Sequence, residues 1–305
     1  MHERIGVIDI GSNTIHSDVF EIRRDGTLWK RYSAGTVNRL GIHLGKTKVI
    51  PPRALADAVR IICRLYTQAR KAGATRVGIF ATSILREASN AATLCRAVKK
   101  RCGCPVDILS ARREASLLSR IAQQYPFLQK KPVLFIDLGG GSAEYSVRSC
   151  GRIEYEKSFA YGLSKTIGMM PYRNRYGSDA ARWYTAFFTA KIKPCIKTLS
   201  RLPLARVVGT SSVVKTIGMV CYPRVRSLHG LSGKNISVAH LRRLCRTLQE
   251  GRPVPRLDPV RREIVYSGVL YFLTLLARLK KRHLYSYPLS IREGYVMKYI
   301  TRQSA

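Results

Sequence analysis

Acidic residues are scarce in this chain, and those beside glycine and hydroxyl clusters are the ones placed to do chemistry. Its 305 residues include 54 Lys and Arg against 18 Asp and Glu. Asp137 closes an apolar run, Val133 to Ile136; Gly139, Gly140, Gly141 and Ser142 follow, and Glu144 stands just beyond. Glycines let a backbone turn tightly and approach a ligand, because no Cβ intervenes. The amides of such a turn, with the Ser142 hydroxyl, suit an anion. Carboxylates beside an anion loop would repel its ligand unless a cation joins them. Asp137 and Glu144 are therefore candidate ligands of a hard cation, Mg²⁺ or Mn²⁺.

The same pattern occurs near the N-terminus. Ile5 to Asp9 reads as a strand, Gly11, Ser12, Asn13 and Thr14 as its turn, and Ile15 to Ile22 as the returning strand. Asp9 and Asp137 are 128 positions apart, as are Gly11 and Gly139, and Thr14 and Ser142. A repeat in register implies two similar domains, each presenting an anion-binding hairpin. It adds Asp9 to the candidate metal ligands.

The elements that must hold these residues follow from periodicity. Ala54–Ala72 is apolar at helical spacing, Arg76–Ala81 is a strand, and 82–90 is a loop entering a helix. Arg86 on that loop either forks onto phosphate or sits on a helix surface. Val106–Leu109 is a strand; Ser110 then caps a helix over 111–124. Glu114 lies near its first turn, where an acid favours the helix dipole and suits a capping role. The domain boundary is placed near residue 125, giving domains 1–125 and 126–305. In the second, residues 158–162 read as a loop, and 183–201 as a helix that Pro194 should kink or split. Ala205–Gly209 is a strand running into Thr210, Ser211 and Ser212. These open the helix 213–220, as phosphate sites and ordinary caps both do. Helices follow at 238–248 and 259–280, then a strand at 284–288 and a last helix opening at 290–294.

Residues 1–125 carry 22 basic and 9 acidic side chains, and 126–305 carry 32 and 9. The formal charge of +36 attracts polyanions. None of the eight cysteines has Cys-x-x-Cys spacing, which disfavours zinc. The N-terminus enters a strand at once, so no signal peptide is expected and the thiols are expected reduced, in the cytoplasm. Ile264–Ala277 is too short and too interrupted for a membrane span.

Asp9-Ile-Gly-Ser-Asn-Thr14, Arg39-Leu-Gly41, Ala81-Thr-Ser-Ile-Leu-Arg-Glu-Ala88, Glu114-Ala115, Asp137-Leu-Gly-Gly-Gly-Ser142 with Glu144, His229-Gly230 and Arg292-Glu-Gly294 together resemble the exopolyphosphatase/guanosine pentaphosphate phosphatase (Ppx/GppA) family, over almost the whole chain. The resemblance implies an actin-like (ASKHA) α/β fold, with two RNase-H-like domains flanking an interdomain cleft. It matches the short form without extra C-terminal helical domains, with a C-terminal helix at about 295–305 packing back on the first domain. The activity implied is hydrolysis of the terminal phosphoanhydride of inorganic polyphosphate with Mg²⁺ or Mn²⁺, releasing orthophosphate. The alternative is guanosine pentaphosphate 5′-phosphohydrolase, a stringent-response activity. An alternative of another class is a non-catalytic polyphosphate or alarmone-binding protein. Expected partners are polyphosphate, guanosine penta- or tetraphosphate and a second copy in a homodimer, but neither nucleic acid nor membrane.

The resemblance makes Glu114 the base. Asp137 and Glu144 serve the metal or the attacking water, with Asp9 a third metal ligand. Gly11, Ser12, Asn13, Thr14, Arg86, Gly139, Gly140, Gly141, Ser142, Gly209, Thr210 and Ser211 form the substrate-binding set. Three positions depart from the family: Arg113 where many members have an acid, His16 where many have Arg, and Gly209-Thr-Ser-Ser212 where two glycines and a Thr are common.

Overall fold

The computed structural model describes residues 3–24, 26–44, 47–122, 130–227, 229–287 and 289–297, and these fall into two compact units. The first runs to Leu117 and resumes at Ile291; the second is Leu118–Ser290.

In the first unit, β1 (Arg4–Ile10), β2 (Thr14–Ile22) and β3 (Leu28–Val37) form an antiparallel meander. After helix α1 (Pro52–Lys71), β4 (Arg76–Ala81) joins β1 in parallel. Helices α2 (Ser83–Glu87) and α3 (Ala91–Cys102) lead to β5 (Val106–Ile108), parallel to β4. The order is β3-β2-β1-β4-β5. Alternation along β1 splits the core between two faces. Ile8 and Ile10 pack with Leu55, Ile62 and Leu94 of α1 and α3. Ile5 and Val7 face the other way, toward Ile291 and Tyr295. These two belong to α10 (Ile291–Tyr295), whose Tyr295 ring lies 4.6 Å from that of Phe80. Asp9 shares the parity of Ile5 and Val7, so it projects from the α10 face of β1.

The second unit repeats the plan. β6 (Val133–Leu138), β7 (Ala143–Ser149) and β8 (Arg152–Phe159) form the meander. Helices α5 (Leu163–Met169) and α6 (Ser178–Leu199) precede β9 (Arg206–Gly209), parallel to β6. Then come α7 (Ser212–Cys221), β10 (Lys234–Ser237), α8 (Val238–Gln249), α9 (Arg262–Arg278) and β11 (His283–Ser286). The order β10-β11-β9-β6-β7-β8 is that of the first sheet with one antiparallel edge strand added. Helix α4 (Ala111–Ala122) follows β5, and the division between units falls inside it, at Leu117/Leu118.

Several elements differ from the sequence reading. Strands β3 and β8 were not expected, because both are edge-side strands rich in Lys, Arg, Glu and Ser, whose apolar alternation is weak. Ser158 and Phe159, read as loop, end β8. Pro194 does not split α6; the buried stripe Tyr184, Phe188, Ile192, Cys195, Leu199 passes straight across it, and packing offsets the missing N–H. The helix expected from residue 259 begins with a 3-10 turn, Pro259–Arg261, and becomes α-helical at Arg262. The Arg39–Gly41 loop includes the start of another 3-10 turn, Leu40–Leu44, and Gly230 lies in a third, His229–Leu231. The unit division lies ahead of the boundary placed near 125, and the chain rejoins the first unit at Ile291 instead of about 295. Gly45, the 123–129 connection, Pro288 and positions 298–305 of the expected C-terminal helix lie outside the described residues.

Candidate active site

Both expected hairpins form, and they close in the same way. The Gly11 N–H donates to the Thr14 carbonyl at 3.2 Å, and the Gly139 N–H to the Ser142 carbonyl at 2.9 Å. The first glycine of each turn is thus spent on closing it, so any anion must be met by the amides that follow. The segment after the third strand then buttresses each turn. Gly41 N–H donates to the Ser12 carbonyl at 2.7 Å, and Asn38 and Arg39 N–H donate to that of Asn13. In the second unit Leu163 and Lys165 N–H donate to the carbonyls of Gly139 and Gly140. A Cβ on Gly162 would stand 2.5 Å from the Gly140 carbonyl carbon, so this close approach needs glycine.

The side chains on the two hairpins differ. Asp137 and Glu144 are direct cross-strand partners, and Glu144 in turn faces Ser158. Cross-strand partners project from the same face. The Ser158 hydroxyl donates to Glu144 Oε1 at 2.8 Å. The corresponding row of the first unit is Asp9, His16 and Gly35. The His16 ring fills the space a Cβ on Gly35 would need, with Nδ1 2.7 Å from that position.

Asp9 also belongs to an ion cluster that sequence reasoning missed. Arg292 Nε donates to Asp18 Oδ2 at 2.6 Å, and its NH1 donates to Asp9 Oδ2 at 3.4 Å. Lys30 Nζ lies 3.1 Å from Asp18 and 3.4 Å from Glu293, and the Ser33 hydroxyl donates to Asp18 at 2.6 Å. Burial alone would push the Asp18 carboxyl up; Arg292 and Lys30 more than offset this and hold it well below the usual carboxylate range. Burial likewise opposes the charge of Arg292, but Asp18, Asp9 and Glu293 raise its pKa above the ordinary guanidinium value. The available signal was Asp18 itself, an acid in the middle of the returning strand Thr14–Ile22 in an acid-poor chain.

Ser110 caps α4 as expected, its hydroxyl accepting from the Arg113 N–H at 3.2 Å. That leaves Glu114 one residue further, buried, with Arg86 NH1 3.0 Å from its Oε2. Arg86 NH1 also donates to the Leu109 carbonyl at 2.6 Å. The arginine therefore orients Glu114 and is not simply a surface residue. Arg113 forks onto Asp107, at 2.8 and 2.6 Å. Ser12, in the first turn, has its hydroxyl 3.4 Å from that of Ser83.

In the second unit, Gly209 is in register with Ile136, so the third loop starts beside the end of β6. Thr210 donates its N–H to the Ile136 carbonyl at 3.0 Å, and its hydroxyl reaches the same oxygen at 3.3 Å. A Cβ on Gly209 would meet Val214 at 2.6 Å. Ser211 is the N-cap residue of α7; its buried hydroxyl has no hydrogen-bond partner among the described residues.

The donor chemistry was compared with a hard cation. Asp137 and Glu144 form a paired-carboxylate face, and Mg²⁺ commonly takes one or two carboxylates with water and phosphate completing its shell. Asp9 belongs to the other unit and already holds a guanidinium. Among the described residues no group of three or more His, Cys, Asp and Glu is gathered as a metal cage. The acid pair fits Mg²⁺; an all-protein cage of the zinc kind does not arise from it. Among those residues, too, no helix is long and apolar enough to cross a membrane.

The model of the Ppx/GppA phosphatase family matches residues 33–303. Exopolyphosphatase 1 of Mycobacterium tuberculosis is 29% identical over 143 residues, which is 47% of this chain and 42% of that protein. Exopolyphosphatase 1 of Mycobacterium leprae matches to the same extent. The aligned stretch thus spans well under half of these relatives. Among solved structures, an exopolyphosphatase from Cytophaga hutchinsonii superposes with a TM-score of 0.87 at 22% identity, over 97% of each chain. The Aquifex aeolicus Ppx/GppA family member gives 0.80 at 20% identity, over the whole of both chains. The fold is the actin-like α/β fold, with one RNase-H-like sheet in each unit.

Proposed function

The chain belongs to the Ppx/GppA phosphatase family, and from that premise we propose that it is an exopolyphosphatase, hydrolysing the terminal phosphoanhydride of inorganic polyphosphate and releasing orthophosphate. The observation that carries this reading is the doubled hairpin: two turns closed by the same hydrogen bond, one bearing the Asp137–Glu144 pair.

Phosphoanhydride hydrolysis needs neutralised phosphoryl oxygens, a positioned water and a leaving group able to depart. The amides after Gly11 and Gly139, with the Thr14 and Ser142 hydroxyls, are the assigned donors to phosphate oxygens. Gly209, Thr210 and the buried Ser211 hydroxyl are assigned to the same task. Glu114, held by Arg86, is the assigned base that takes a proton from the attacking water. Asp137 and Glu144 would hold Mg²⁺ or Mn²⁺. Such an ion, when bound, supplies charge neutralisation and a more acidic water. The departing polyphosphate is already a stable anion, so no strong general acid is required. The surplus of positive charge suits the remainder of a long phosphate chain.

Initial rates of orthophosphate release from long-chain polyphosphate, triphosphate and guanosine pentaphosphate test the proposal. Faster turnover of polyphosphate is expected. Preference for guanosine pentaphosphate would move the assignment to the 5′-phosphohydrolase, and binding without release would make the protein a sensor.

A further inference from the structure

The buried Arg292 has no role in the chemistry assigned above, yet it touches both Asp9 and Asp18. Its helix, α10, rejoins the first unit after the whole second unit has intervened. The guanidinium is gripped from behind. Asp18 is fully buried on β2, opposite Val7, and its carboxylate takes Arg292 Nε at 2.6 Å, the Ser33 hydroxyl at 2.6 Å and Lys30 at 3.1 Å. A carboxylate held by three such partners is fixed in place and anchors the arginine at Nε. The free end of the fork, NH1, then reaches Asp9 Oδ2 at 3.4 Å. Asp9 is two residues ahead of Gly11, whose amide closes the first turn.

We propose that Arg292 is a positioning residue: anchored on Asp18, it sets the orientation of the Asp9 carboxylate and thereby the affinity of the first hairpin for phosphate presented with its divalent cation. This rests on the phosphate reading of that hairpin. Lysine at 292 would keep the charge but lose the fork, so it could satisfy Asp18 or Asp9 but not hold both in plane. Replacement of outer partners of this kind costs about tenfold or more in metal affinity or activity.

The test is calorimetric titration of inorganic triphosphate, with and without Mg²⁺, into wild type, Arg292→Lys and Asp18→Asn, each below its measured Tm. Expected is a loss of about tenfold in Mg²⁺-dependent triphosphate affinity in both variants, with the Mg²⁺-free affinity changed much less. If Arg292→Lys binds triphosphate with Mg²⁺ as tightly as wild type while its Tm falls, Arg292 is a structural residue and the inference is overturned. Should Arg292→Lys fail to fold, Asp18→Asn decides by the same criterion. Wild type that binds triphosphate but releases no phosphate removes the hydrolase reading and leaves the inference to the variants. Wild type that binds none sinks the phosphate reading and the inference together.

Discussion

The two hairpins share a backbone and differ in charge. Each has an Asp one residue before the end of its first strand, a glycine whose amide closes the turn, and a buttress from the segment after the third strand. Across the sheet, the second carries Asp137, Glu144 and Ser158, and the first Asp9, His16 and Gly35. One row concentrates carboxylates; the other has exchanged its second acid for an imidazole and set Arg292 against its first. The helices after the last parallel strands show the same division. Glu114 lies six positions past the end of β5 at Ile108, and Arg292 six past the end of β11 at Ser286. A duplicated scaffold has thus been given unlike charges at like places. A binding device needs two similar cradles, whereas a reaction needs unlike groups.

The sharpest way to break the comparison is at that pair. Glu114→Gln keeps a helix former and should preserve substrate binding while cutting turnover by about a hundredfold or more, the usual worth of a positioned base. Near wild-type turnover would reduce Glu114 to a partner of Arg86. The rows come next. Asp137→Ala should raise the Mg²⁺ concentration for half-maximal activity by about tenfold or more. Asp9→Asn, at a site already facing a guanidinium, should raise it less, and equal shifts would erase the distinction between the rows.

The buttresses sharpen it further. An alanine Cβ at Gly162 meets backbone atoms of Gly140 and Gly141 at 2.5 Å, whereas at Gly41 it meets the Ser12 Cβ at 2.9 Å. Denaturant unfolding should show Gly162→Ala losing about 3 kcal/mol and Gly41→Ala about 1 kcal/mol. The reverse order would mean that the first turn is the stiffer. The smallest expected effect concerns acid. The Asp18 carboxyl is held below its unfolded value, so its contribution is complete above about pH 4 and fades as pH falls further. Asp18→Asn should therefore have a lower Tm near neutrality but a smaller fall in Tm on acidification than wild type. Parallel Tm curves would show that the ion cluster contributes nothing to acid sensitivity.

The hairpins were legible in the sequence because everything that specifies them is local: an apolar strand, Asp, Gly and a hydroxyl within a dozen residues. Ser110 was legible for the same reason, since a cap reads only its own helix. Strands β3 and β8 were not, because edge strands tolerate Lys, Arg and Glu on the open side, which blurs the period of two. The pairing of Arg86 with Glu114 spans 28 positions, and that of Arg292 with Asp18 spans 274. Neither leaves a spacing to read. Arg292-Glu-Gly294 could be recognised as a motif, but what it touches is decided by the course of the whole chain.

That course has a consequence for how the protein is made. The second unit is one uninterrupted stretch, Leu118–Ser290, whereas the first waits for residues from Ile291 onward. Chains emerge from the ribosome N-terminal part first, and domains fold as units once complete. The earlier-synthesised unit is therefore the later one to be finished. Until α10 arrives, Asp18 is a strand carboxylate without its guanidinium, beside an apolar face that this helix has yet to cover. Loss of the last few residues of the described chain would consequently injure its first thirty, and a nascent-chain arrest before residue 291 should leave the older unit open to protease while the younger one resists.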